Sequence, residues 1–325
     1  MRKQNRIALL GLFAVLAVAS ALFSVIKGSV DIEFAEITEA LSGNSVGVHE
    51  QIIMNIRLPR TLLAGLVGMN LALSGAILQA IMKNPLADPH IIGISSGAGL
   101  TGILMILVFP AYAYLVTPAA FVGAMGAAIA IYILAWKNGI RPIRIILAGV
   151  AVSAFLGAGI SGLLIFYSDR VQGALLFMVG GLSGRSWGQL SMILPYAIGG
   201  GALAFLAART LNILQLGDDI AKGLGTSVER SRIFLTAVAA LLAASSVSVV
   251  GLLGFVGLIV PHGARLLIGS DYRYLLPASA ILGACVLIFS DTLARILFAP
   301  VELPVGILMA VFGAPFFLYL LRREL

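Results

Sequence analysis

Apolar residues run along this chain in blocks, each close to the ~20 residues that cross a hydrocarbon core of about 30 Å as a helix. Polar, proline and glycine punctuation separates the blocks. The pattern predicts ten spans, near Ile7 to Ile26, Thr61 to Met82, Ile91 to Phe109, Leu115 to Trp136, Ile143 to Phe166, Ser191 to Ala208, Ile233 to Val250, Leu258 to Ile268, Leu275 to Phe298 and Val305 to Leu321. The eighth is short, follows Gly251, Gly254 and Gly257, and contains Pro261, where regular helix is expected to stop. Backbone that leaves the helix at membrane depth is tolerated only inside protein or beside a water-filled cavity.

Composition turns this pattern into a class. Of the 325 residues, 60% are hydrophobic and only 11% charged, with a mean hydropathy of +1.06, against about 25% charged in ordinary soluble domains. The expected fold is therefore all-α, a polytopic membrane protein with lipid as its solvent, forming a single transmembrane domain over residues 1–325. The 37 glycines sit inside apolar runs, where small residues let helices approach closely. Cys285 lies alone in an apolar run and serves packing. Arg2, Lys3 and Arg6 precede an apolar stretch too long for a typical signal sequence, which reads as a retained first span.

The net charge of +7 follows from orientation and does not indicate nucleic acid. Ten crossings put both termini on one side. With that side cytoplasmic, the inner segments hold Arg2, Lys3, Arg6, Lys83, Lys137, Arg141, Arg144, Arg209, Lys222, Arg230, Arg232, Arg265, Arg273, Arg322 and Arg323. The outer segments hold Lys27, Arg57, Arg60, Arg170, Arg185 and Arg295, a ratio of 15 to 6 in favour of the cytoplasm. Two connections are long enough for partners. The outer loop, residues 28–60, carries Asp31, Glu33, Glu36, Glu39 and Glu50 before Arg57-Leu58-Pro59-Arg60. The inner segment, residues 210–232, is amphipathic and broken by Gly217, Gly223 and Gly225.

Enzyme chemistry finds no support. No G-x-x-x-x-G-K-[ST] phosphate loop is present, so ATP would have to be bound by another subunit. His49, His90 and His262 fall in separate loops or span ends with no partners at ligand spacing, so neither a metal nor a cofactor is expected. Asp291 and Arg295 share a helix face four residues apart, which reads as a local ion pair or a binding element. Asn84-Pro85-Leu86-Ala87-Asp88-Pro89 is a rigid connection or a gate lip, because two prolines force the chain out of helix.

Eight elements in order, RLPR (Arg57 to Arg60), LALSGAILQ (Leu71 to Gln79), KNPLADP (Lys83 to Pro89), IIGISSGAG (Ile91 to Gly99), GFVGLIVPHGAR (Gly254 to Arg265), GSDYR (Gly269 to Arg273), SDTLAR (Ser290 to Arg295) and ELPVG (Glu302 to Gly306), resemble the FecCD family over essentially the whole chain. Its members are permeases of importers for ferric siderophores, haem and cobalamin. The resemblance implies a type II ABC-importer permease fold. It also implies a second permease subunit, identical or not, two cytoplasmic ATPase subunits and an extracytoplasmic binding protein. It assigns Arg57, Arg60 and Arg295 to binding-protein docking, and Asp218, Asp219, Ala221, Gly223, Leu224 and Gly225 to ATPase coupling. It assigns Asn84, Pro85 and Leu86, with Pro142 and Ile143 at the start of the fifth span, to the pore and its gate. Cobalamin-importing relatives carry small hydroxyl residues where this chain has Pro142 and Ile143, which puts cobalamin last, and family frequency alone puts a ferric siderophore first with haem next. The rival class, an ion-coupled secondary transporter, would need intramembrane carboxylates as carriers, and Asp291 is the one candidate.

Overall fold

The computed structural model describes residues 3–28, 32, 36, 39, 47–90, 93–137 and 142–324. Arg2, Asp31, Glu33, Arg141 and the expected start of the third span at Ile91 lie outside them. Every regular element among the described residues is helical. The principal helices are α1 (Lys3–Ile26), α2 (Leu58–Met82), α3 (Ile94–Val108), α4 (Val116–Ala135), α5 (Pro142–Phe166), α6 (Val171–Val179), α7 (Trp187–Leu206), α8 (Ala208–Gln215), α9 (Asp218–Gly223), α10 (Val228–Val250), α11 (Val256–Ile268), α12 (Tyr272–Ile296) and α13 (Val305–Glu324). Among the described residues seven helices are long and apolar enough to cross a membrane, and α3, α11 and α13 contribute shorter apolar lengths. These ten correspond to the ten apolar blocks.

Burial sorts the helices by role. In α2, 78% of the apolar window is buried, and in α10 72%, whereas α1 and α5 bury 17%. A helix apolar all round belongs either in a core or against lipid, and α2 and α5 are the two outcomes. Glycines let α2 sit at the centre. A Cβ on Gly68 would lie 2.1 Å from the Gly283 carbonyl oxygen of α12, and one on Gly75 would lie 1.8 Å from that of Gly257 in α11. Backbones in contact gain dispersion that lipid cannot supply between helices.

Three boundaries depart from expectation. Pro59 does not interrupt the entry to α2. A π-helical turn, Ile52–Arg57, leads straight into α2, so the helix runs on through Pro59 and the proline's missing N–H falls where the ladder has already widened to the π pattern. Pro261 does not end α11, which continues to Ile268, although its 13 residues span only about 20 Å and leave a break before it. The nine-residue α6 lies between α5 and α7, where the sequence suggested only a loop. The bundle has two ends. At one, Arg6 faces Asp271 at 3.5 Å and Asn212 Nδ2 donates to the same carboxylate at 2.8 Å. At the other, Ser183 Oγ donates to Glu302 at 3.2 Å. These are called the Asp271 end and the Glu302 end.

Candidate functional site

At the Glu302 end the three arginines assigned to docking are drawn into the bundle. Arg57 is 3% exposed and donates to the carbonyls of Val25 (2.9 Å) and Ile26 (2.7 Å), which end α1. Those carbonyls have no helical partner of their own, so the guanidinium caps them. Arg60 grips Asp291 through Nε (2.9 Å) and Nη2 (3.0 Å) and reaches Glu302 through Nη1 (2.8 Å). Arg295 donates to Ser24 Oγ (2.7 Å) and Thr292 Oγ1 (3.2 Å), with its Nε 3.5 Å from Asp291. Asp291 is therefore held chiefly across helices by Arg60, and the i,i+4 contact to Arg295 is the looser of the two. Burial works to raise the Glu302 carboxyl, but the hydrogen bond and charge of Arg60 outweigh it and hold the group below its ordinary value.

At the Asp271 end, Gly217 adopts φ +109° and releases the chain into α9. Asp218, the first residue of α9, accepts from Lys83 Nζ at 3.0 Å and from Arg232 Nη2 at 2.8 Å. One carboxylate thus ties α9 to the end of α2 and the start of α10. Partial burial opposes ionisation of Asp218, and the two cations overcome it, lowering its proton affinity. Ala221 is buried beneath α9, while Asp219, Gly223, Leu224 and Gly225 are exposed. Ile220 (55% exposed) and Leu224 (60%), four residues apart, give α9 an outward apolar face unusual among such polar neighbours. Gly225 has φ +80°, and Thr226 N donates to the Ala221 carbonyl at 3.0 Å to close the helix end. Gly223 has neither positive φ nor a close neighbour, so a side chain fits there.

The loop assigned to the gate is built from Asx turns. Asn84 Oδ1 accepts from Leu86 N at 2.9 Å, and Asp88 Oδ1 accepts from His90 N at 2.7 Å. Asp88 is buried against the start of α11, with Oδ2 2.9 Å from where a Cβ on Gly257 would sit, and that burial raises its proton affinity. Asp88 and His90 line a cavity of about 570 Å³ together with Met178, Phe255, Ile307 and Val311. Asn84, Pro85, Leu86 and Ile143 are not among its lining residues; Ile143 faces outward at the start of α5, 59% exposed, and Pro142 opens that helix.

A second cavity, about 680 Å³, opens at the Glu302 end. Between the two lies a knot of backbone that sequence reasoning did not anticipate. Met178, Val179, Gly306 and Ile307 face the first cavity, and Phe177, Gly181, Leu182 and Pro304 face the second. Gly181 N donates to Val250 O (2.8 Å), Leu252 N to Phe177 O (2.9 Å) and Gly306 N to Gly180 O (3.1 Å). A Cβ on Gly306 would lie 1.8 Å from the Val179 carbonyl oxygen, and one on Gly251 2.3 Å from that of Phe177. Phe255, which reaches the first cavity, holds φ +68°, an uncommon conformation for a side chain of that size. Its ring packs on Gly313 of α13, where a Cβ would meet it at 2.4 Å. The glycines of GFVG and ELPVG were visible in the sequence; the packing of Gly257 on Asp88 and of Gly306 on the Val179 carbonyl was not.

A central buried helix, partly broken spans, cavities on either side of a backbone knot and a short external helix tied to the core define a membrane permease. The sequence matches the FecCD transport family over residues 15–323, and the chain belongs to that family. It is 41% identical to the Fe(3+)-citrate import system permease protein YfmE of Bacillus subtilis (strain 168), covering 99% of this chain and 97% of that protein. It is 40% identical to the hemin transport system permease protein HmuU of Yersinia pestis, again covering 99% and 97%. Its fold is similar to a solved structure described as an inward-facing metal-chelate type ABC transporter, with a TM-score of 0.87, 29% identity and coverage of 97% and 99%.

Proposed function

We propose that this chain, as one permease domain over residues 1–325, is the transmembrane subunit of an ATP-driven importer that carries an iron chelate into the cytoplasm. A ferric siderophore or a similar ferric chelate is the leading cargo, haem the next and cobalamin the last. Support for the cargo class comes from the relatives' names, which include ferric citrate and hemin. The observation that carries the ATP-driven reading is the Asp218 linkage. An exposed apolar knob, α9, is joined by one carboxylate to the ends of α2 and α10, so force applied to the knob is delivered to the centre of the bundle.

In this reading two permease subunits, identical or not, assemble with two cytoplasmic ATPase subunits, and α9, through Asp218, Asp219, Ala221, Gly223, Leu224 and Gly225, is the coupling element. Loop charge supports a cytoplasmic position for the Asp271 end and both termini, in the cytoplasmic (inner) membrane. The Glu302 end then meets an extracytoplasmic binding protein. Arg57, Arg60 and Arg295 serve that docking by bracing the rim, with Glu302 as the partly exposed member they position. The gate comprises the loop of Asn84, Pro85 and Leu86 with Pro142 and Ile143. The rival reading as an ion-coupled transporter is weakened by Asp291, whose carboxylate is occupied by Arg60 and Arg295 and so is poorly placed to carry protons. The test is uptake of radioactive iron by cells in which the chromosomal copy is deleted and replaced by wild type or by Asp218→Asn. Wild type should restore uptake of a ferric chelate, and the variant should reach the membrane yet import several-fold less. Equal uptake in the deleted and restored strains over a panel of ferric chelates and haem would reject the cargo class.

A further inference from the structure

The cavity at the Glu302 end holds a cation that the bundle does not use. Arg185 lies in the short connection between α6 and α7 and lines this cavity with Arg60, Glu302, Tyr114, Ser183 and Gln189. Arg60 is committed to Asp291 and Glu302, and Glu302 is in turn satisfied by Arg60 and Ser183. Arg185 has no such commitment. Its Nε is buried without a hydrogen-bond partner, and among the described residues no carboxylate pairs with its guanidinium. Burial alone acts on it and lowers its proton affinity, with no opposing charge to offset the loss of water. The cavity lining thus has two arginines against one carboxylate, and the surplus positive charge is Arg185.

A half-desolvated guanidinium with free donors, facing a hollow of about 680 Å³, has the form of an unfilled oxyanion receptor. The volume falls within the range of sites that take small molecules and exceeds what a single phosphate or chloride would fill. We propose that Arg185 is the anchor of an entry subsite for a carboxylate-bearing metal chelate, bound in this cavity by charge-assisted hydrogen bonds before it passes the backbone knot at Gly180, Gly251 and Gly306. The inference rests on the importer reading above and narrows it, because such a subsite favours anionic chelates over neutral ones. Seating the chelate there would bring carboxylate oxygens to a cavity-lining guanidinium that has none. It would also hold the cargo beside the Glu302 rim, where a binding protein would release it.

The experiment uses the full-length permease, purified with its ATPase partner in phosphatidylcholine nanodiscs. Trp187 lies two residues from Arg185, its Nε1 donating to the Met54 carbonyl at 2.8 Å, and ferric chelates quench indole emission, so binding is read from Trp187 fluorescence. The titrants are ferric citrate and a neutral ferric hydroxamate. Wild type should bind ferric citrate saturably, Arg185→Gln about ten-fold or more weakly, and Arg185→Lys should recover most of the loss. Affinity for the neutral chelate should be the same in all three. Removing an unpaired, partly buried charge relieves desolvation, so Arg185→Gln should be obtained at wild-type yield. Equal ferric citrate affinity in wild type and Arg185→Gln would overturn the proposal, as would a parallel loss of the neutral chelate, which would mark a structural effect. If protein from native membranes retains an anionic phospholipid that Arg185→Gln lacks, while citrate affinity is unchanged, the cation serves lipid and the proposal is wrong. If no iron chelate binds any form, the importer reading fails. The anion subsite then stands on calorimetry with iron-free citrate, surviving if wild type binds it and Arg185→Gln does not, and falling if both behave alike.

Discussion

Arg60 uses three donors on two carboxylates, and this arrangement sets the energetic character of the Glu302 end. Buried charge is costly to create and costlier to leave unpaired, so single truncations should be severe where a joint replacement is mild. Arg60→Ala or Asp291→Asn is expected to destabilise the subunit by about 3–5 kcal/mol and to lower its yield in membranes. The paired change Arg60→Met with Asp291→Leu should recover most of that loss, as measured by thermal melting of the purified protein in detergent. A double variant no more stable than the singles would show that the network is held by other contacts. Sequence reading found each of these residues and missed their geometry. Asp291 and Arg295 are four apart in one helix and their proximity is visible in the chain, whereas Arg60 and Asp291 are 231 residues apart and only the packing of α2 on α12 unites them. The same limit applied to exposure: arginines beside Pro59 look like surface residues until the π-helical turn carries them inside.

At the scale of elements, coupling and the knot make separate predictions. Asp218 has its carboxyl lowered below its ordinary value of 3.8, so the link to Lys83 and Arg232 is complete above that value. It is lost only as pH falls through the lowered one. Import should therefore be insensitive to this group near neutrality, and Asp218→Asn should mimic acid by reducing ATP-driven uptake without changing membrane level. Gly225→Ala forces a side chain into φ +80° at a cost of about 1–2 kcal/mol and should impair coupling, while Gly223→Ala, in open helical backbone, should not. Comparing ATP hydrolysis with uptake in the two variants checks this, and an identical effect would remove the conformational argument. Gly306→Ala places a carbon against the Val179 carbonyl and should destabilise the subunit by about 1–3 kcal/mol or more. Gly126→Ala, which meets nothing, is the control. Helix positions were largely legible because hydropathy reports length. The α6 helix was not, since nine residues between α5 and α7 carry no spanning signal, and Phe255 was not, since positive φ at that point would ordinarily call for glycine.

For the whole molecule, the all-α bundle, its ten apolar helices and its family were readable from the chain because lipid enforces simple rules on length and backbone satisfaction. The candidate site was only partly readable. The segment 210–232 stood out by its break in hydropathy, and the narrower choice of residues within it came from the family resemblance, but the two cavities and the knot between them arise from contacts among α6, α10, α11 and α13 that no local pattern encodes. The central claim is that ATP hydrolysis by partner subunits, rather than an ion gradient, moves the cargo through this bundle. The most direct measurement places the permease, its ATPase and its binding protein in sealed proteoliposomes, with ATP inside and radioactive ferric chelate outside, and collapses proton and sodium gradients with ionophores. The account predicts accumulation that requires internal ATP and persists without either gradient. Accumulation that stops when the gradients collapse, with ATP still present, would contradict it.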